Sequence, residues 1–147
     1  MLKGIHPLLT ADLLHALADM GHGDEIAIVD ANFPAARLGP RVIDLAGASS
    51  PEALAAVLTV LPLDADTVPA AVTMQVIDQP EAVPEAVGDF AAVFTECGLA
   101  DCEIGSLERY AFYDRATNAC VLVRTGELRP YGNILLVKGV VNRYKPR

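Results

Sequence analysis

Short apolar runs rich in β-branched residues recur along this chain, and amphipathic helical segments separate them. That alternation constrains the fold more than any other feature. A strand apolar at nearly every position has to be covered on both faces, and helices are the covering this chain offers. The strand-like runs are Glu25–Val29, Arg41–Leu45, Ala71–Ile77, Glu103–Leu107, Ala119–Arg124 and Ile134–Val141. The first helix is expected over Leu8–Met20, with Thr10 as its N-cap, Leu13, Leu14, Leu17 and Met20 on one face, and Gly21 at C′. A second opens at Ser50-Pro51-Glu52, with Ser50 as cap and Pro51 at the first helical position, and runs to about Leu61 before Pro62. A third covers Pro84–Cys97, closed by Gly98, and a fourth covers Arg109–Thr117. Pro34 and Gly39-Pro40 mark a loop, and no repeat, linker or low-complexity tract interrupts the pattern. The reading is a single α/β domain over 1–147, a three-layer α/β/α arrangement with a largely parallel sheet.

Charge narrows the partners. A formal net charge of −8 argues against a nucleic-acid groove. With 52% hydrophobic residues, 20% charged and no Trp, part of the apolar surplus is expected at a subunit interface; an Ala- and Val-rich core is the alternative sink. Cys97, Cys102 and Cys120 are odd in number and lack metal-ligand spacing, the usage of a reduced intracellular chain. The amino end carries no continuous apolar signal run, and no later run is long enough for a bilayer. The expectation is a cytoplasmic chain that takes neither nucleic acid nor membrane as partner.

The chemistry concentrates in Gly21-His22-Gly23-Asp24-Glu25 and in the strand that follows, which ends on Asp30. Histidine is the side-chain type that changes charge nearest neutral pH, and the glycines on either side of His22 let a ligand approach its loop. A loop imidazole and a strand-end carboxylate suit proton transfer on a small polar molecule. Alone, the segment fits equally a glycine cap followed by a surface histidine. His22 and Asp30 also bracket one strand, whose two ends need not be neighbours. A second polar cluster, Thr125-Gly-Glu-Leu-Arg-Pro-Tyr131-Gly132-Asn133, lies between the last two strands and reads either as a ligand loop or as a plain turn. Arg109 could grip a hydroxyl through its planar fork, or lie on the surface with its stem over Tyr113. His6, His15 and His22 have no metal spacing, and no phosphate loop, dinucleotide fingerprint or nucleophile elbow is present, so neither metal nor cofactor is expected.

Taken in order, the segments Ile5-x-Pro7-Leu8, Met20-Gly-His-Gly-Asp-Glu-Ile, Asp30-x-x-Phe33-Pro34, Arg109-x-Ala-Phe-Tyr113, Arg124-Thr-Gly-Glu and Tyr131-Gly-Asn-Ile-Leu-Leu resemble the family of L-fucose mutarotase and D-ribose pyranase. The resemblance runs from Leu2 to about Val140. It implies His22 as the proton-transferring residue, with Asp30 orienting it or holding a sugar hydroxyl. It further implies Arg109, Tyr131, Gly132 and Asn133 as sugar-binding positions. Arg109, Gly132 and Asn32-Phe33-Pro34 are closer to the fucose branch; Asn32, Gly4-Ile5-His6 and the basic tail Asn142–Arg147 depart from it. The implied activity is cofactor-independent interconversion of the α and β anomers of L-fucose or a similar monosaccharide. The alternatives are pyranose/furanose exchange of the D-ribose pyranase type and a non-catalytic sugar-binding, transport-accessory role. The resemblance also implies a ring-like homo-oligomer, a decamer of two stacked pentamers, with sites at subunit contacts.

Overall fold

The computed structural model describes residues 1–39 and 41–143. Pro40 of the expected loop, and the tail beyond Arg143, lie outside the described residues. In chain order the elements are α1 (Ala11–Asp19), β1 (Glu25–Val29), α2 (Ala35–Leu38), β2 (Val42–Leu45), α3 (Ser50–Leu58), β3 (Ala71–Met74), α4 (Glu85–Glu96), β4 (Ile104–Leu107), α5 (Arg109–Asn118), β5 (Val121–Thr125) and β6 (Ile134–Val137).

One six-stranded sheet runs β2-β5-β1-β6-β3-β4. The pairs β1/β5, β2/β5 and β3/β4 are parallel, while β6 is antiparallel to both β1 and β3. The sheet is therefore mostly parallel, with one reversed strand near its middle. Side-chain alternation explains the near-continuous apolar runs. Ile26, Ile28, Val121, Val123, Ile134 and Leu136 face a core with Leu13 and Leu17 of α1, Leu54 of α3, and Phe90 and Phe94 of α4. Ala27, Val29, Leu122 and Leu135 face the opposite core, with Ala35 of α2 and Phe112 and Ala116 of α5. Two such faces make the three layers. Each fully buried Leu or Phe contributes about 1.5–3 kcal/mol, and truncating Phe112 to Ala would cost about 3–5 kcal/mol.

Helix ends follow local chemistry. Thr10 caps α1 by accepting Leu13 N–H at 3.3 Å. Gly21 does not form the left-handed cap expected for it: Met20 turns extended, and the positive φ (+84°) falls on Gly23. The cap of α3 is Ser49 rather than Ser50, because Ser49 and Glu52 complete a reciprocal capping box. That leaves Ser50 buried and free to turn toward Glu127. The four-residue α2 follows directly after Pro34, in a stretch read from sequence as loop. It packs beside the edge-to-face Phe33–Phe112 pair, whose centroids are 6.0 Å apart.

Candidate functional site

The reversed strand decides where the pocket forms. Because β6 runs against β1, the segment that enters β6 lies at the carboxyl end of β1, the end where open α/β sheets hold ligands. Asp30, Asn32 and Phe33 come from the end of β1, Met74 and Ile77 from the end of β3, Arg109 and Tyr113 from α5, and Tyr131 and Asn133 from the approach to β6. Together they line a pocket of about 270 Å³, the scale of a small ligand.

Its floor is polar and ordered. Asn133, 2% exposed, accepts Asp30 N–H through Oδ1 at 2.8 Å. Asp30 in turn accepts Asn32 N–H through Oδ1 at 3.0 Å. Burial raises the Asp30 carboxyl above its ordinary range, against the opposing hydrogen bonds from Asn32, Asn133 and Phe33. Tyr131 has φ +61°, unusual for a residue with a side chain, and its hydroxyl accepts Ile77 N–H at 3.3 Å. Gly132 is needed because a Cβ there would lie 2.8 Å from Glu127 Cγ and 3.0 Å from Ser50 Oγ.

Arg109 opens α5, whose first amides are capped by the Glu108 carboxylate. Its Nη2 donates to the Tyr110 hydroxyl at 2.8 Å, and the guanidinium lies 4.6 Å from the Tyr110 ring centroid, so the stacking partner is Tyr110 and not Tyr113. Arg109 Nε is buried without a partner, the one such side-chain nitrogen or oxygen among the described residues. A buried donor left unmade costs about 1–3 kcal/mol, and the Arg109 side chain also lines the pocket.

The loop from Thr125 to Asn133 is clamped from below. Glu127 binds Arg129 through both carboxylate oxygens, each at 3.0 Å, and Arg129 reaches on to Glu85 and Asp89 of α4. The Arg129 guanidinium holds the Glu127 carboxyl well below its ordinary range, at about 2. A carboxyl lowered from 4.5 stabilises the fold fully above pH 4.5 and loses that contribution as pH falls toward 2. The shift corresponds to about 3 kcal/mol. Denaturant unfolding of wild type and Glu127→Gln should thus differ most at neutral pH and converge between pH 4.5 and 2. A gap that stays constant with pH would dismiss this ion pair as the clamp.

His22 stands elsewhere. Gly23 N–H donates to Lys138 O, beyond the end of β6, so His22 lies at the amino end of β1. The five residues of β1 separate it from Asp30, about 16 Å at the usual strand rise. One chain brings Asp30, Arg109, Tyr131, Gly132 and Asn133 together; it does not bring His22 to them. The imidazole, half exposed, instead meets Asp64: Nε2 lies 3.1 Å from Oδ1 of that nearly buried carboxylate. Thr67 donates to Asp64 Oδ2 at 2.6 Å, and this bond, followed by those of His22 and Asp66 N–H, holds the Asp64 carboxyl below its ordinary range against burial. Asp64 was not singled out from sequence. It stands 42 residues from His22 in an irregular segment, and its only sequence signal is an Asp-x-Asp pair beside Leu63. His22, Asp64 and Asp66 offer ligand atoms within 4.8 Å of one another and are the candidate cation cluster among the described residues, but the His22–Asp64 contact is already a hydrogen bond.

A covered six-stranded sheet with a small, donor- and carboxylate-lined pocket at its strand ends is the layout of a small-ligand α/β protein. The chain belongs to the RbsD / FucU transport protein family, which matches residues 3–141. Similar solved structures include the fucose mutarotase from Streptococcus pneumoniae in complex with L-fucose, at 37% identity and TM-score 0.89 over 95% of this chain and 99% of that one. FucU from Bifidobacterium longum is 39% identical, with TM-score 0.87 over 95% and 99%. Bacillus subtilis RbsD complexed with D-ribose is 27% identical, with TM-score 0.74 over 96% and 99%. Family and fold together support a function of the sugar mutarotase/pyranase type. No helix among the described residues is long and apolar enough to cross a membrane.

Proposed function

We propose that this chain is a cofactor-independent mutarotase interconverting the α and β anomers of L-fucose or a close relative, in a site that two copies of the chain complete. The observation that carries the proposal is the convergence of Asp30, Arg109, Tyr131 and Asn133 on one small pocket. This set matches several hydroxyls on one small ring. The chain's greater likeness to the L-fucose-bound Streptococcus pneumoniae protein than to the D-ribose-bound Bacillus subtilis one favours fucose over ribose.

Mutarotation moves only protons. A base takes the proton of the anomeric hydroxyl while an acid delivers one to the ring oxygen. The bond from C1 to the ring oxygen then breaks, giving the free aldehyde and a hydroxyl. C1 turns, and the reverse transfers close the ring on its other face. Tyr131 supplies a proton at the ring oxygen, since its own oxygen already accepts Ile77 N–H and its O–H remains to be given. Asp30 and Asn133 hold hydroxyls, and Arg109 donates to another. His22, with Asp64 behind it, exchanges the second proton. Because one chain holds His22 far from the pocket, the His22 of one copy serves the pocket of another.

The surface supports such a contact. Beside the His22 end, Leu14, Leu17, Ala18, Val60, Leu61, Pro62 and Val141 line an apolar groove, with Val60 and Val141 exposed. A second copy is its occupant in a ring-like assembly, for which we propose a decamer. Saturation-transfer NMR on anomeric protons tests the activity. Accelerated α/β exchange of fucose is expected; exchange confined to ribose pyranose and furanose forms would move the chain to the pyranase reading, and binding without exchange would make it a sugar-binding accessory. A monomer in light scattering at micromolar concentration would remove the shared site.

A further inference from the structure

We infer that Thr67 is a positioning residue: through Asp64 it holds the His22 imidazole in one tautomer and one orientation, an inference that rests on the acid/base role proposed for His22. His22 cannot orient itself. It sits on a loop between two glycines, its side chain is 52% exposed, and Asp64 is the polar side-chain contact the structure gives it. The hydrogen bond that aims the ring is therefore the one to the Asp64 carboxylate.

A carboxylate on a single Cβ–Cγ bond can rotate and offer either oxygen. Here the two oxygens have separate tasks. Oδ2 receives the Thr67 hydroxyl at 2.6 Å, a short charge-assisted bond, and Oδ1 receives Asp66 N–H at 3.3 Å and faces His22 Nε2 at 3.1 Å. With Oδ2 pinned, Oδ1 has one place to be. An ionised carboxylate only accepts, so it selects the tautomer with the proton on Nε2 and leaves Nδ1 as the free base. The charged groups around this unit do not duplicate the effect. The Asp66 carboxylate lies within 4.8 Å of the same His22 and Asp64 atoms, but the ring's hydrogen bond goes to Asp64. Asp24 accepts Gly21 N–H, the Lys138 ammonium donates to the carbonyls of Leu17 and Met20, and Asp101 and Glu103 line the cavity on the Thr67 side. Thr67 itself is exposed, so removing its hydroxyl leaves no buried group unpaired except on Asp64.

The test compares Thr67→Val, which deletes the hydroxyl at nearly constant shape, with Thr67→Ser, which keeps it. The imidazole ¹⁵N shifts of His22, assigned by their loss in His22→Ala, report the tautomer in sugar-free protein. Wild type and Thr67→Ser should hold Nε2–H; Thr67→Val should show a mixture of tautomers. Fucose exchange in Thr67→Val should fall about tenfold in kcat, the scale of lost supporting bonds to a functional histidine, with KM nearly unchanged and Thr67→Ser restoring it. Should Thr67→Val fold poorly, Thr67→Ala provides the same readout. An unchanged tautomer in the hydroxyl-free variants overturns the inference, whether or not exchange falls. The tautomer readout needs no activity. If His22→Ala exchanges sugar normally, the acid/base reading fails, and an intact tautomer response would still mark Thr67 as the residue that sets the ring.

Discussion

His22→Ala should lower the rate of anomer exchange by about 10²–10⁴-fold, the contribution of a positioned acid/base group. The fold should be unaffected, because the residue lies on a glycine-flanked loop with its ring half exposed. Tyr131→Phe should be similarly impaired, because it removes the proton offered to the ring oxygen while leaving the ring of the side chain in place. The informative experiment mixes the two. When the variants are co-expressed and random assemblies form, about a quarter of the shared sites should pair an intact His22 with an intact Tyr131 across a subunit contact. Exchange should then reappear in a mixture of two nearly inactive proteins. If the site belonged to one chain, no mixture would recover activity. Wild-type rates in His22→Ala alone would remove the imidazole from the mechanism.

Arg109→His should weaken sugar binding by tenfold or more. The guanidinium is charged at every working pH and offers five fixed donors, whereas an imidazole offers one or two. One donor already goes to the Tyr110 hydroxyl, and the side chain lines the pocket with Asp30, Tyr131 and Asn133. Each hydrogen bond lost to a charged group is worth about 1.5–3 kcal/mol. Proton transfer survives in part, so the deficit should shrink as sugar concentration rises, and calorimetric titration should show it mainly as a higher Kd. Arg109→Lys should not restore binding, since an ammonium cannot reproduce the planar fork. Unchanged affinity for both fucose and ribose would take Arg109 out of the site.

Local chemistry made much of this fold legible in advance. The Thr10 cap, the run through Glu25–Val29, and Gly98 closing α4 with φ +75° each depend on neighbours in sequence and are found as read. One miss was local: Ser49 and Ser50 both suit a cap, and the Ser49-x-x-Glu52 spacing of a capping box decides for Ser49. The others depend on distant partners. An apolar run such as Ile134–Val137 says nothing of its direction, so the reversal of β6 was hidden, and with it the reason Tyr131 and Asn133 meet Asp30. Arg109, Tyr131, Gly132 and Asn133 were legible through the family resemblance and not through spacing, which fits a surface arginine and a plain turn as well. Asp64 and Thr67 were not, since nothing in an irregular segment announces contact with a histidine 42 residues earlier.

The reversed strand also bears on how the chain reaches its native state. β6 comes last of the strands in the chain yet lies between β1 and β3, and without it the sheet falls into two pieces, β2-β5-β1 and β3-β4. On a ribosome both pieces, and the helices that cover them, emerge before the strand that joins them. Pairings of such long sequence separation are slow to find and leave strand edges open meanwhile. Tyr131, Gly132 and Asn133 arrive on the same segment, so the pocket cannot exist in a partly assembled sheet. A nascent chain is thereby without this pocket until its central gap is filled.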